Sequence, residues 1–540
     1  MNAIERIVAY HQRTKHHPRR YAAGPGYMDW ENQPDPFRRF SDSSSIDLPL
    51  AADQLKTLYA DLDHSESITP QPMDLQGVAS LFELALAISA WKSYMGERWA
   101  VRCNPSSGNL HPTEGYLISP DGVGPGAGIW HYEGEFHRLE LRGEVAEPAW
   151  SDAFPPEQFC IALSTIHGRE SWKYGERAFR YCQLNLGHAA MAFRVAAAAL
   201  GWRATLTDGL GDDDLIRLLG LEPWPLPLPP EQERPGLLLT LSSNAADTPL
   251  SEPLEEALRN RSESIVWRGQ ASRLTTEPLR EWTAIRHAHE AAIKPALPLQ
   301  TSTPPESPHP LACASRLRAA DLIRQRRSAV RYDNRSSIPM PTFFRILDAL
   351  IPRPGVSPWD LFTDTTRIHP LLMVHRVQGV TPGLYVLIRN PAVLDDLKQA
   401  LRPDFLWKSV QEAPDHLPLY RLSVGDEHDF ARMVSCNQDI AADGAFSLGM
   451  LAEFDSSLTG GAWIYRRLHE EAGAVGQILY LEAEAAGYQG TGIGCFFDDL
   501  FHTRLGIEAL RFQTLYHFTI GTGIADNRLE TAPPFAHLSR

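Results

Sequence analysis

The sequence predicts an α+β protein built from two duplicated halves that pack as a pseudo-twofold pair within one chain. Three observations predict it. In both halves, long amphipathic segments alternate with short apolar ones. Residues 178–201, AFRYCQLNLGHAAMAFRVAAAALG, align with residues 464–487, IYRRLHEEAGAVGQILYLEAEAAG, at a constant offset of 286: Arg180 meets Arg466, Gly187 meets Gly473 and Gly201 meets Gly487. That register runs on without a gap through Asp212-Asp213 against Asp498-Asp499 and Leu219–Glu222 against Leu505–Glu508. Each copy then enters an apolar segment, GLLLTLS (236–242) or LYHFTIG (515–521). Upstream, an offset of 258 pairs Leu110-His-Pro112 with Ile368-His-Pro370, and Gly128-Ile-Trp130 lies near the equivalent of Gly383-Leu-Tyr385. Duplicated domains of this size pack as the two subunits of a dimer do.

In chain order, residues 1–60 read as an ordered, extended arm anchored by Trp30, Phe37 and Phe40, and placed over the mouth of a site. Residues 61–250 form the first domain. Residues 251–292 are charged and read as helical, and KPALPLQTSTPPESPHP (294–310) is a Pro/Ser/Thr spacer that no helix tolerates. The stretch 251–310 is therefore a linker, and the second domain, 311–540, opens at Leu311.

A chain of 540 residues that is 43% hydrophobic buries a large core in two or more domains. With 51 Lys+Arg against 66 Asp+Glu its net charge is −15, which argues against nonspecific nucleic-acid binding and against a basic membrane-surface role. A small anion in a local basic pocket stays open. The opening residues MNAIERIVAYHQRTKHH lack a signal-peptide core, and HAAMAFRVAAAALGW is too short and too interrupted by arginine to span a bilayer. The expectation is a cytoplasmic protein without nucleic-acid or membrane partners, a monomer or a homodimer of pseudo-dimers. Six cysteines without a CxxC read as free thiols. His11, His16 and His17 have no carboxylate or cysteine at ligand spacing, so no metal is expected.

Three motifs carry chemistry. The second half opens with IRQRRSAVRYD, which sets the guanidinium forks of Arg326, Arg327 and Arg331 beside the Ser328 hydroxyl. Such forks bind phosphate bidentately, although a bare RRS also suits a solvated helix end. The loop NPSSGN, with Pro105, Ser106, Ser107, Gly108 and Asn109, offers backbone amides and two hydroxyls, and Gly108 admits a planar ligand at close range. It also reads as a tight turn before a strand. Lys173-Tyr174 in RESWKYGERAFRY pairs an ammonium with a phenol, which would lower the phenol from about 10 toward a general base's range; a packed tyrosine at a helix end is the alternative.

Together these features resemble the nitroreductase superfamily of flavin enzymes, and within it the SagB/ThcOx-type dehydrogenases. PSSGNLHPTEGYL and WKYGERAFRYCQLNLGHAAMAF in the first half, and GYQGTGIGCFFDDLF in the second, carry the resemblance over roughly 90–245 and 320–530. It implies tandem nitroreductase-like domains with FMN between them. Arg326, Arg327 and Ser328 would hold the FMN phosphate, and Arg331 would approach the flavin one residue later than the family's usual RRSxR spacing. Gly490, Thr491, Gly492, Ile493 and Gly494 would form the turn beside the ring, with Pro105–Asn109 lying against it from the other half. Arg528 would add a phosphate-side cation. Lys173 and Tyr174 match a pair implicated as the base in azoline-oxidising members. The resemblance implies an oxidoreductase of natural-product biosynthesis that dehydrogenates a peptide or peptide-derived substrate, azoline to azole, alongside partner biosynthetic proteins. The rival readings are an NAD(P)H-dependent nitro- or quinone reductase and a non-catalytic flavin- or partner-binding protein.

One flavin per chain is expected, because the mirror combination is eroded. TDTTR (363–367) stands for PSSGN, QRTKHH (12–17) for RRSAVR, and RATLTDG (203–209) for the glycine-rich turn.

Overall fold

A computed structural model describes residues 1–221, 229–243, 252–298, 307–362 and 364–538. Among the described residues each half builds one large antiparallel sheet. The first contains β1 (Thr113–Ser119), β2 (Gly128–Glu133), β3 (Gln158–Ile166), β4 (Arg203–Leu206) and β5 (Glu233–Ser242), in the order β2-β1-β3-β5-β4. The second contains β6 (Ile368–Val374), β7 (Gly383–Leu387), β8 (Phe446–Glu453), β9 (Gln489–Ile493) and β10 (Phe512–Gly521), in the order β7-β6-β8-β10-β9. Order and sense repeat, as the duplicated sequence requires.

The helices that frame the site are α1 (Ala3–Arg13), α2 (His167–Tyr174), α3 (Ala178–Ala199), α4 (Ala319–Gln325), α5 (Ile464–Ala485) and α6 (Asp498–Leu505). The alanine-rich α3 is buried along all 22 of its residues, because α5 covers the side that its own sheet leaves open. The paired glycines of the repeat are where the two helices touch. A Cβ on Gly187 would lie 1.9 Å from the carbonyl oxygen of Glu470, and one on Gly473 would lie 2.1 Å from that of Leu184. Any side chain there would force the backbones apart. The paired arginines reach across the same seam: Arg180 donates to Asp498 at 2.9 Å and Arg466 to Asp212 at 2.6 Å.

The halves also exchange backbone. Strand Glu530–Ala532 pairs with Ile88–Tyr94 of the first half. Tyr59 N donates to Leu317 O and Ala319 N to Thr57 O, each at 2.9 Å, around an antiparallel bridge between Leu58 and Arg318. This bridge places the residues near 58 opposite those near 318, so QRTKHH is not the counterpart of RRSAVR. Residues 12–17 instead span the end of α1 and the segment after it, which lies on α6, where Lys15 pairs with Asp499 at 2.7 Å and His16 N donates to Asp498 at 3.0 Å.

Three further expectations are corrected. The arm does not begin extended. Residues 3–13 form α1, capped by Asn2 and Glu5, with Ile7, Tyr10 and His11 buried. Phe37 and Phe40 are buried, whereas Trp30 stays 63% exposed. The stretch 251–292 is not helical throughout: between helices Glu252–Arg261 and Thr283–Ala291 it adds Val266–Trp267 to the edge of the first sheet. Most of the proline-rich spacer, 299–306, lies outside the described residues, as does Thr363 of the TDTTR segment. Finally, Cys436 and Cys495 form a disulfide, their Cα atoms 5.9 Å apart, because the fold brings together residues 59 apart in sequence; Cys103, Cys160, Cys182 and Cys313 are free.

Among the described residues no helix is long and apolar enough to cross a membrane. Among them, too, no group of three or more His, Cys, Asp or Glu could hold a metal ion.

Candidate functional site

A cavity of about 970 Å³ opens at the seam between the halves, and both contribute walls. From the first half come Pro105, Ser106, Ser107, Gly108, Asn109 and Tyr174; from the second come Arg326, Arg327, Ser328, Thr491, Gly492, Ile493 and Gly494.

The NPSSGN loop is shaped by its glycine. Gly108 sits at φ +62°, and a Cβ there would lie 2.6 Å from the Tyr174 hydroxyl oxygen. Ser106 Oγ accepts from His111 N at 2.9 Å, which closes the turn. Asn185 Oδ1 on α3 accepts from Ser107 N at 3.3 Å, while its Nδ2 donates to Glu170 at 2.9 Å, tying the loop to α2.

The opposite wall is equally specific. Ala329 N donates to Gly490 O at 3.2 Å and Thr491 Oγ1 to Ala329 O at 2.7 Å, so the Arg-Arg-Ser segment is stitched to β9. The Tyr480 hydroxyl on α5 lies 2.9 Å from Ser328 Oγ and accepts from Gly492 N at 2.9 Å. A Cβ on Gly492 would collide with Tyr516.

One end of the cavity is cationic. Arg326 is 3% exposed, and among the described residues only Nη2 of its guanidinium nitrogens is bonded, to Arg102 O at 3.1 Å; Nε and Nη1 are buried without a partner among them. Its guanidinium lies 4.9 Å from the centre of the Tyr480 ring. Arg327 donates to Ser89 and to the carbonyls of Arg324 and Arg326. Lys92 and Arg102 complete the group. Burial holds Arg326 below its ordinary value; burial and then Arg326 do the same for Arg327, and burial and then Arg327 for Lys92. Among the described residues no carboxylate forms a salt bridge with either arginine, although Glu484 acts on both at longer range, and a buried guanidinium so placed is stabilised by an anion. A cavity of this size, glycine-flanked and with an unsatisfied guanidinium at one end, fits a planar ligand that carries a phosphate.

Four of the residues expected from sequence stand apart. Gly490 lies behind the wall, bonded to Ala329. Arg331 is exposed and does not line the cavity; its carbonyl accepts from Ile524 N at 2.9 Å, and its charge acts on Asp526. Arg528 faces solvent, because Asp526 two residues earlier takes its guanidinium at 2.9 and 2.7 Å. Lys173 is not among the residues that line the cavity but lies just behind them, its Nζ 3.1 Å from where a Cβ on Gly108 would be and 5.5 Å from the centre of the Tyr174 ring. It does not depress the phenol. Burial, then Glu170 and Tyr181, push Tyr174 well above its ordinary value, so the phenol is neutral near pH 7.

Sequence reasoning missed Lys92, Arg102, Asn185, Tyr181, His188, Tyr480 and Tyr516. A signal existed for some of them. At the 286-residue offset Tyr480 meets Arg194 and Tyr181 meets Arg467, mismatches inside otherwise matched helices. These mismatches close the mirror seam. Arg194 pairs with Asp360 at 2.7 and 3.0 Å, Arg467 pairs with Asp208, and Glu471 accepts from Arg367 N at 2.9 Å. Among the described residues, a void there beside Asp364, Thr365 and Thr366 is about 10 Å³, room for one water at most.

Residues 68–228 match the nitroreductase family. A protein of Methanocaldococcus jannaschii provisionally named a nitroreductase is 28% identical over 133 residues, which is 23% of this chain and 67% of that one. A solved structure from Anabaena variabilis, also provisionally named a nitroreductase, superposes with a TM-score of 0.68 at 21% identity, covering 96% of this chain and 99% of the other. Over nearly its whole length the chain has the nitroreductase fold.

Proposed function

We propose that this chain is an FMN-dependent oxidoreductase that dehydrogenates a peptide or peptide-derived substrate, azoline to azole. The observation that carries this reading is the pair of unpartnered, buried nitrogens of Arg326 at one end of a glycine-walled cavity shared by both halves. When bound, FMN supplies the hydride acceptor. Arg326, Arg327 and Lys92 would hold its phosphate and Ser328 would add a hydroxyl. Pro105–Asn109 and Gly492–Gly494 would flank its rings, and the α3–α5 seam would exclude water from beneath. Tyr174, neutral at working pH, would act as a hydrogen-bond donor that orients the substrate beside Gly108, not as a tyrosinate base.

Purified protein is expected to be yellow and, after extraction, to give one FMN per chain. A ratio near two would contradict the single intact seam. Rapid bleaching by NADPH at a rate that supports turnover would move the substrate to a nitro or quinone compound. Tyr174→Phe is expected to keep the colour and to slow substrate oxidation about tenfold to a hundredfold, the range of one lost directing hydrogen bond. Its pH–rate profile should match that of the wild type below pH 9. An alkaline limb near pH 7 that vanishes in the variant would restore the tyrosinate.

A further inference from the structure

The cavity wall contains a second chemical feature. Cys495 follows Gly494 directly and lines the cavity, and so does Gln438, two residues beyond Cys436. The Gln438 side chain donates to Ser435 O at 2.8 Å and to Cys495 O at 3.2 Å, so the bond joins two neighbouring pieces of one wall. Both cysteines are half-buried, within reach of a small thiol. Cys436 and Asn437 are consecutive non-glycine residues at φ +55° and +58°. Left-handed backbone of this kind persists where its surroundings impose it, and the disulfide is the covalent restraint at this turn.

We propose that Cys436–Cys495 is a thiol–disulfide exchange site for a small or protein dithiol, and that its redox state sets the rigidity of the cavity wall. A thiolate of the incoming dithiol attacks one sulfur of the bond and forms a mixed disulfide while the other sulfur leaves as a thiolate. The second thiol of the reagent then displaces the mixed disulfide. Cys436 and Cys495 gain two electrons and two protons, and the dithiol is released as its own disulfide. The reverse reaction with an oxidised dithiol restores the bond. Among the described residues the hydrogen bonds that then tie this turn to the neighbouring wall are Gln438 Nε2 to Cys495 O at 3.2 Å and Phe497 N to Val434 O at 2.7 Å.

Cys103, Cys160 and Cys182 are buried, and burial pushes the Cys103 thiol up to about 11 and Cys160 to about 12, leaving little thiolate at neutral pH; Cys313 is half-buried and free, and burial raises its thiol as well.

The test uses the full chain without added flavin. Alkylation and peptide mass analysis under non-reducing conditions are expected to find 436 and 495 linked and to find both alkylated after dithiothreitol. Hydrogen exchange of peptides covering 434–441 and 489–497 is expected to accelerate at least tenfold on reduction and to slow again on reoxidation. The Cys436→Ser/Cys495→Ser double variant should exchange at the fast rate with or without dithiothreitol. Free thiols in the untreated protein, or exchange indifferent to reduction, would overturn the proposal. FMN titration of the two redox forms is a separate arm. Accelerated exchange in a chain that binds no FMN would leave this site standing and remove the flavin reading.

Discussion

Arg326→Met is expected to weaken FMN binding by about 10- to 150-fold while making the ligand-free protein more stable. The first effect follows from losing a charge-assisted fork on phosphate, about 1.5–3 kcal/mol where the bond is to a charged group, with each 1.4 kcal/mol a factor of ten. The second follows from the empty state. Among the described residues the guanidinium is buried, two of its nitrogens have no partner, and no carboxylate forms a salt bridge with it, Glu484 acting only at longer range. Exchanging such a charge for an apolar side chain of similar length is neutral or stabilising, by up to about 4 kcal/mol. Isothermal or fluorescence titration reads the first effect, and urea unfolding of the apo form reads the second. If binding and apo stability fall together, Arg326 is a structural residue. Arg327→Met is the control, since its guanidinium already spans Ser89 and the carbonyls of Arg324 and Arg326, and its loss should destabilise the apo protein.

The contrast between these neighbouring arginines marks where sequence reading stops. Guanidinium chemistry is written in the letters RRS, but which of the two is left unsatisfied depends on Ser89 and Arg102. Both belong to a hairpin of the first half that is braced by strand Glu530–Ala532 from the far end of the chain. Lys92 lies on the same hairpin, and no local pattern could place it against residue 327. The duplication, by contrast, was legible in detail, because its signals are close-range constraints repeated twice. Two glycines sit where helix backbones touch, and two arginine–aspartate pairs cross the seam. The same comparison carried the closed mirror seam, since an arginine standing where the other copy has Tyr480 or Tyr181 fills space and demands a carboxylate. For Tyr174 the adjacent Lys173 is not the deciding influence: burial, then Glu170 one turn back on α2 and Tyr181, raise the phenol, and none of these is written in the Lys-Tyr dipeptide.

The cross-seam pairs yield the largest stability effect. Asp498 is fully buried at the start of α6. It accepts from Arg180 at 2.9 Å, from Arg177 at 3.2 Å and from His16 N at 3.0 Å, so it binds the long helix and the N-terminal arm of the first half to the second. Asp498→Asn leaves two arginines buried without a counter-charge at that point, and is expected to cost about 3–5 kcal/mol, measured by urea unfolding at neutral pH. The pH dependence separates charge from packing. Burial alone would raise this carboxyl, but Arg177 and Arg180 outweigh it and hold the group well below its ordinary range. A folded value depressed below the unfolded value of about 3.9 means that the contribution is complete above pH 4 and is lost as pH falls further. The difference between wild type and Asp498→Asn should therefore be constant from pH 8 to 5 and shrink below pH 4. A difference that persists unchanged at pH 2.5 would assign the loss to packing of the amide and not to the missing charge. Arg180 occupies the position that Arg466 holds in the other copy, where it faces Asp212 at 2.6 Å. Asp212→Asn is expected to destabilise comparably without touching the cavity, whereas Asp498→Asn also frees Arg177, which donates to Gly494 O at 3.3 and 3.2 Å in the cavity wall. Loss of ligand binding in the Asp498 variant alone, at matched stability, would mean that one copy of the duplicated clasp has come to serve the site as well as the seam.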